Sequence, residues 1–181
     1  MDWRPPAWFA ADLRLTQKKS LSYRGVGFAP TRRAARAVPV QWRTLPSMTL
    51  PDSTLSAMKR LARDAAKHAH APYSAFPVGA AVLGESGTIH VGVNVENASY
   101  GLSVCAERSA IFRAIAEGER KIRAVCLYTP TRAPASPCGA CRQVIHEFGP
   151  DALILCCCDD DGAERRYALR DLLPEAFKLA K

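Results

Sequence analysis

The sequence predicts an α/β chain, a three-layer α/β/α sandwich built on a mixed sheet of about five strands. Three observations carry this expectation. Apolar spacing alternates between helix and strand periods after residue 48. The turn Gly84-Glu85-Ser86-Gly87 joins two strand-like runs into an antiparallel hairpin. Strand–helix–strand order in the middle of the chain calls for parallel pairing through right-handed crossovers.

Each element has its own signal. Asp52 or Ser53 caps a first helix that runs to about His68, with Leu55, Met58, Leu61, Ala62 and Ala65 as its apolar stripe. Ala71-Pro72-Tyr73-Ser74 ends it. The hairpin strands are Val78 to Leu83 and Thr88 to Glu96; in the second, Ile89, Val91, Val93 and Val95 alternate with more polar residues. A second helix spans Val104 to Ala116 and stops at Gly118. A strand follows from Ile122 to Tyr128, then a Pro/Thr/Ala loop. A third helix covers Gly139 to Phe148 and ends at Gly149-Pro150. The remaining elements are a strand from Ala152 to Cys158, a turn from Asp159 to Gly162, a strand from Arg165 to Leu169, and a short helix holding Leu172, Leu173 and Phe177.

Composition narrows the classes. The chain has 181 residues, is 48% hydrophobic and 23% charged, and fits one globular domain. No apolar run approaches the roughly 20 residues of a membrane span. The net charge of +8 is not spread evenly. Residues 1–47 hold nine Lys/Arg against two Asp/Glu, whereas residues 48–181 hold sixteen against fifteen. A nucleic-acid or membrane partner is therefore not indicated for the body of the chain. Residues 1–47 read as a basic arm, mostly disordered, broken by Pro5, Pro6, Pro30, Pro39 and Pro46. A targeting peptide and a functional extension compete with a plainer reading, in which Met48 is the natural start and the stretch before it adds little. Seven cysteines, an odd number without a secretory signal, read as metal ligands or core thiols in the cytoplasm.

Two segments carry the chemistry: Cys105-Ala106-Glu107-Arg108 and Pro137-Cys138-Gly139-Ala140-Cys141. Both fall at expected helix N-termini, where unpaired N–H groups and the positive dipole end stabilise thiolates. Cys138 and Cys141 share a helix face. Cys105 and Glu107 are only two residues apart, yet in a first turn both can reach a site beyond the helix end. Three thiolate ligands leave one tetrahedral position open, the mark of a catalytic zinc site, and a water there becomes acidic near neutral pH. Glu107 is then a proton carrier and not a ligand. Three thiolates on a dication leave a surplus negative charge, which the helix dipoles and Arg108 offset, Arg108 by hydrogen-bonding the sulfurs. A C-x-x-C alone divides evenly between metal and redox roles. Joined to C-x-E thirty-three residues upstream, it matches the zinc deaminase pattern.

With these residues on the page, the chain resembles the homotetrameric cytidine deaminases, the three-cysteine zinc type of the cytidine/deoxycytidylate deaminase superfamily. The resemblance runs from about Leu55 to Phe177 through Tyr73-Ser74-Ala75-Phe76-Pro77-Val78-Gly79-Ala80-Ala81, Asn94-Val95-Glu96-Asn97-Ala98-Ser99-Tyr100-Gly101 and the two cysteine segments. It closes on Ser136-Pro137-Cys138-Gly139-Ala140-Cys141-Arg142-Gln143 and Leu172-Leu173-Pro174-Glu175-Ala176-Phe177. It implies one Zn2+ per subunit on Cys105, Cys138 and Cys141, with Glu107 shuttling protons and Arg108 and Gln143 supporting the ligands from behind. It also implies that Asn94 and Glu96 bind the ribose hydroxyl and that Phe76 packs on the nucleoside. Ala98, Tyr100 and Phe177 would line a neighbouring subunit's site, and backbone groups beside Ala106 and Pro137 would orient water and amine. Free cytidine and 2′-deoxycytidine are the implied substrates, in pyrimidine salvage, with a homotetramer as the working form. Read alone, Asn94 and Glu96 are turn residues; two apart at a strand end, they share a face and suit a sugar.

The alternatives are a deaminase of a modified cytosine nucleoside of the blasticidin S type, a polynucleotide editor, or a thiol-redox or structural zinc module. Asn-Val-Glu-Asn and Leu-Leu-Pro-x-x-Phe favour ordinary cytidine, and a compact pocket with ribose contacts leaves little room for flanking phosphates. Metal content and turnover separate the last class. Cys126, Cys156, Cys157 and Cys158 read as core thiols, with Cys157 on the opposite face from Cys156 and Cys158. His68 and His70 read as helix-end residues and His90 as exposed. Asp159-Asp160-Asp161-Gly162 reads as a turn without a calcium pattern.

Overall fold

The structure, a computed structural model, describes residues 50–160 and 163–179. The basic arm, Asp161, Gly162 and the last two residues lie outside the described part. Helix α1 (Asp52–Ala66) opens the described chain, followed by β1 (Gly79–Gly84) and β2 (Ile89–Val93). Next come a 3-10 turn (Tyr100–Leu102), α2 (Ala106–Ala116), β3 (Ile122–Tyr128), α3 (Gly139–Phe148), β4 (Leu153–Cys157), β5 (Arg165–Ala168) and α4 (Leu169–Leu172). The five strands form one sheet in the order β2-β1-β3-β4-β5. Only β3 and β4 pair in parallel, bridged by α3; the other three pairings are antiparallel. This is the expected mixed sheet.

Helices cover both faces. Leu55, Met58, Ala62 and Ala66 of α1 pack on Ala81, Leu83, Cys126 and Leu155. On the other face, Ala106, Ala110, Ile111 and Ala114 of α2 and Ile145 of α3 pack on Ala80, Val82, Val125, Leu127 and Ile154. Small residues let the helices sit close. A Cβ on Gly79 would lie 1.9 Å from the Ala62 carbonyl oxygen, and one on Gly92 would lie 2.3 Å from the Ala110 nitrogen. Gly79 thus seats α1 on β1, and Gly92 seats α2 on β2.

Several expectations need correction. Pro51 occupies the N-cap position of α1, with no side-chain cap; Asp52 and Ser53 lie inside the first turn. Strand β2 ends at Val93, because the Asn94 side chain turns to the backbone of Phe76 and Val78. Val95 keeps only isolated bridges to His70 and Val104. The terminal helix is a single turn that excludes Leu173 and Phe177. Proline at 174 disfavours helical geometry for the residue before it, and Leu173 sits at φ −143°, ψ 72°. His90 is buried at 3% exposure, not exposed. Its partner across the hairpin is Val82, a core residue on the α2 side, so its face is interior.

Candidate metal centre and active site

Cys105 and Cys138 are the N-cap residues of α2 and α3, both with extended backbone, and Cys141 lies in the first turn of α3. Two helix N-termini therefore converge on one point. The three sulfurs all lie within 4.8 Å of one another, and Cys105 and Cys138 Sγ are 3.9 Å apart. Tetrahedral zinc with bonds of about 2.3 Å to sulfur asks for sulfur separations of about 3.8 Å, so the donor set fits Zn2+. Cys141 is buried, Cys105 half-buried and Cys138 exposed, which leaves one side of the site open to solvent.

The electrostatics follow from packing. The Cys105 thiol is pulled down to about 5, first by a hydrogen bond from Cys141 and then by Arg108 and Cys138. Cys141 is pushed up as the donor of that bond and by burial. Arg108 Nη2 donates to the Ser103 carbonyl at 3.0 Å and to Cys105 Sγ at 3.9 Å, which brings its charge beside that thiol. Its Nε is buried without a hydrogen-bond partner. Glu107 is 4% exposed, and its carboxyl is held above the ordinary carboxylate range, mainly by desolvation. This is a buried acid two residues from one of the clustered thiols. A structural metal site has no use for it.

The remaining expected residues surround this centre in the chain's own way. Glu96 accepts hydrogen bonds from Tyr73 N at 2.8 Å, from Ser74 N at 3.2 Å and from the Ser74 hydroxyl. Asn94 accepts from Val78 N at 2.7 Å and donates to the Phe76 carbonyl at 2.9 Å. Both side chains thus pin the 73–78 loop, which includes Ala75 at φ 52° beside Phe76. Left-handed backbone at a non-glycine residue is uncommon, and such strain concentrates where a loop must present a particular side chain. Ala106 is buried at the start of α2. Ala98 is exposed, as are Phe76, Tyr100 and Phe177, and Tyr100 meets Tyr73 edge to face at 5.9 Å. Gln143 clasps the C-terminal segment to α3: its amide donates to Phe177 O at 2.9 Å and accepts from Phe177 N at 3.3 Å. Arg142, which sequence reasoning passed over, ties Pro137 O at 2.7 Å to Leu172 O at 2.9 Å.

A five-stranded α/β sandwich with three converging thiols and a buried glutamate defines a zinc-dependent hydrolase of the deaminase type. A family profile described as the cytidine and deoxycytidylate deaminase zinc-binding region matches residues 52–157. The chain belongs to that family. It is similar to a cytidine deaminase of Sporosarcina psychrophila, 44% identical over 64% of this chain and 85% of that one. A cytidine deaminase of Mycobacterium tuberculosis H37Rv is 38% identical over 72% of this chain and 94% of its own. The crystal structure of cytidine deaminase from Burkholderia pseudomallei superposes with a TM-score of 0.64 at 45% identity, covering 67% of this chain and 98% of that one. That of the M. tuberculosis enzyme gives 0.60 at 38% identity over 69% and 98%.

Proposed function

We propose that this chain hydrolyses the exocyclic amine of cytidine and 2′-deoxycytidine, giving uridine or 2′-deoxyuridine and ammonia, as a step of pyrimidine salvage. The observation that carries the reading is Glu107, a buried carboxyl at a three-thiol set that fits zinc. Bound Zn2+ supplies Lewis-acid activation of the water whose oxygen replaces the C4 amino group. Cys105, Cys138 and Cys141 hold the metal as thiolates. Glu107 delivers a proton to N3 of the base and later one to the departing amine. Its desolvated setting raises its proton affinity, as a carboxyl that must both take and give protons requires. Backbone groups beside Ala106 and Pro137 orient the water and the amine.

Phe76 packs on the base, and Asn94 and Glu96 bind the ribose hydroxyl. In support, the loop they pin carries Phe76, and each retains hydrogen-bonding capacity beyond its internal bonds. Ala98, Tyr100 and Phe177 serve a neighbouring subunit's site in a homotetramer. Their exposure supports this, because 70% exposure of Phe177 and 74% of Tyr100 is unusual for large aromatic groups without a partner. Free nucleosides, not nucleic acid, are the substrates. All seven cysteines are free thiols, which agrees with work in the cytoplasm, and among the described residues no helix is long and apolar enough to cross a membrane.

Cytidine turnover tests this directly, followed by uridine formation and ammonia release. We expect residues 48–181 and the full chain to turn over alike. Glu107→Ala should lose at least roughly 10²-fold in kcat, the scale of a lost general acid–base, while keeping its zinc and its fold. Zinc-loaded, folded protein without turnover on either nucleoside would sink the reading.

A further inference from the structure

The α1 side of the sheet carries thiol chemistry that deamination does not use. Alternation along β4 sends Cys156 into the core beneath α2 and α3 and Cys157 into the core beneath α1. Cys157 shares that face with Cys126 of β3, and their sulfurs stand 3.9 Å apart. Over Cys157 opens a cavity of about 340 Å3, within the size range of small-molecule sites. One stripe of α1, Ser56, Lys59, Arg60 and Arg63, lines it from above, with Asp160 and Glu164 as its acids.

The cationic groups here are held in place. Lys59 pairs with Glu164. Arg63 donates to the Cys158 carbonyl at 3.1 Å and lies over the Tyr128 ring at 5.0 Å. Tyr128 stays neutral, its hydroxyl pushed up to about 12 by burial and by its bond to Asp159. The Cys157 thiol is pulled below its usual value, chiefly by its hydrogen bond with Cys126, with Lys59 and Arg63 acting the same way against burial and Glu164. Cys126 is pushed up by the same contact and by burial. Of the two sulfurs in this contact, that of Cys157 lines the cavity and that of Cys126 does not.

We propose that Cys157 is a thiol-modification site that forms mixed disulfides with small acidic disulfides, with Cys126 as its hydrogen-bond partner and Lys59, Arg60 and Arg63 as its cationic rim. In the exchange, the Cys157 thiolate attacks one sulfur of R–S–S–R. The bond between Cys157 Sγ and that sulfur forms, the R–S–S–R bond breaks, and RS⁻ leaves to take a proton from solvent. Cys157 is oxidised and the leaving thiol is the reduced product. Cys126 faces Leu155, two positions from Cys157 along β4, and enters the exchange only through its contact with the Cys157 sulfur.

The test treats the zinc-loaded full chain with oxidised glutathione and, separately, with dicationic cystamine, and maps adducts by fragment-ion mass spectrometry. We expect one adduct, on Cys157. Relative to free cysteine, it should form about 10-fold faster with glutathione disulfide than with cystamine, the lower end of electrostatic steering into a charged cleft. Cys126→Ala should slow it, Lys59→Gln should narrow the preference, and Cys158→Ser should leave both unchanged. An adduct on Cys158 or on the zinc-binding cysteines, no adduct, or a preference for cystamine would overturn the proposal. Because the site is read in the wild-type protein, a poorly folding variant does not weaken the test.

Discussion

Arg142 stands in the first turn of α3, where the positive end of a helix dipole disfavours a cation. Arg108 does the same in α2. Both are tolerated because their guanidinium groups are spent locally: Arg108 on Ser103 O and Cys105 Sγ, Arg142 on Pro137 O and Leu172 O. A cation in the wrong half of a helix was thus a legible signal at both positions, and only Arg108 was read. The thiols and Glu107 were legible because their spacing is itself the chemistry. The bonds of Asn94 and Glu96 to the 73–78 loop were not, since they join residues 16 to 23 positions apart. Arg142 holds the backbone that presents Cys138, so Arg142→Ala should weaken zinc about 10-fold or more, the usual cost of removing a group that orients a ligand. Competition with a metallochromic chelator measures this, and an unchanged zinc affinity would remove Arg142 from that role.

Among the elements, β3 and α3 coincide with the sequence reading, because their apolar patterns end at unambiguous breaks. His90 was misjudged for a reason of architecture. Alternation identifies two faces of a strand, but both faces of β2 are covered, one by α1 and one by α2. What lies over His90 is Glu117, 2.8 Å from Nδ1, and Glu119, 3.5 Å from Nε2; both arrive from the far end of α2. Glu119 also takes the Ser86 hydroxyl from the hairpin turn, which holds its carboxyl below the usual range. A carboxyl depressed in the fold contributes stability that is fully present above its unfolded pKa and lost as pH falls through its folded one. Ser86→Ala should therefore melt lower than wild type at neutral pH, with the gap closing as the acid range is crossed; a gap independent of pH would contradict this. At the other end of the same helix, Gly92→Ala should cost about 1–3 kcal/mol, the range for overpacking. The Cβ meets backbone of α2, which cannot rotate away. Urea unfolding reads the loss, and a neutral result would mean that α2 is not seated by that contact.

At the scale of the whole molecule, several of the large apolar side chains left exposed among the described residues fall in segments next in sequence to the site residues. Phe76 and Tyr73 precede β1, Tyr100 and Leu102 precede Cys105, Phe112 lies on α2, and Phe177 is clasped to α3. If the oligomer forms across these surfaces, Leu102→Asp combined with Phe112→Asp should lower assembly and cytidine turnover together, measured by sedimentation beside activity. A monomer with undiminished turnover would exclude shared sites. The sandwich was legible because element order and period constrain it so tightly; the shape of the C-terminal segment was not, since it follows α3 through Gln143 and not any period of its own. One further consequence follows from both ligand-bearing helices beginning at a cysteine. The counterweight to the surplus thiolate charge is built from peptide dipoles and a half-buried guanidinium. Dissolved ions do not gather around such fixed, sheltered sources as they do around surface charge. Changes in ionic strength therefore have little to act on at this centre.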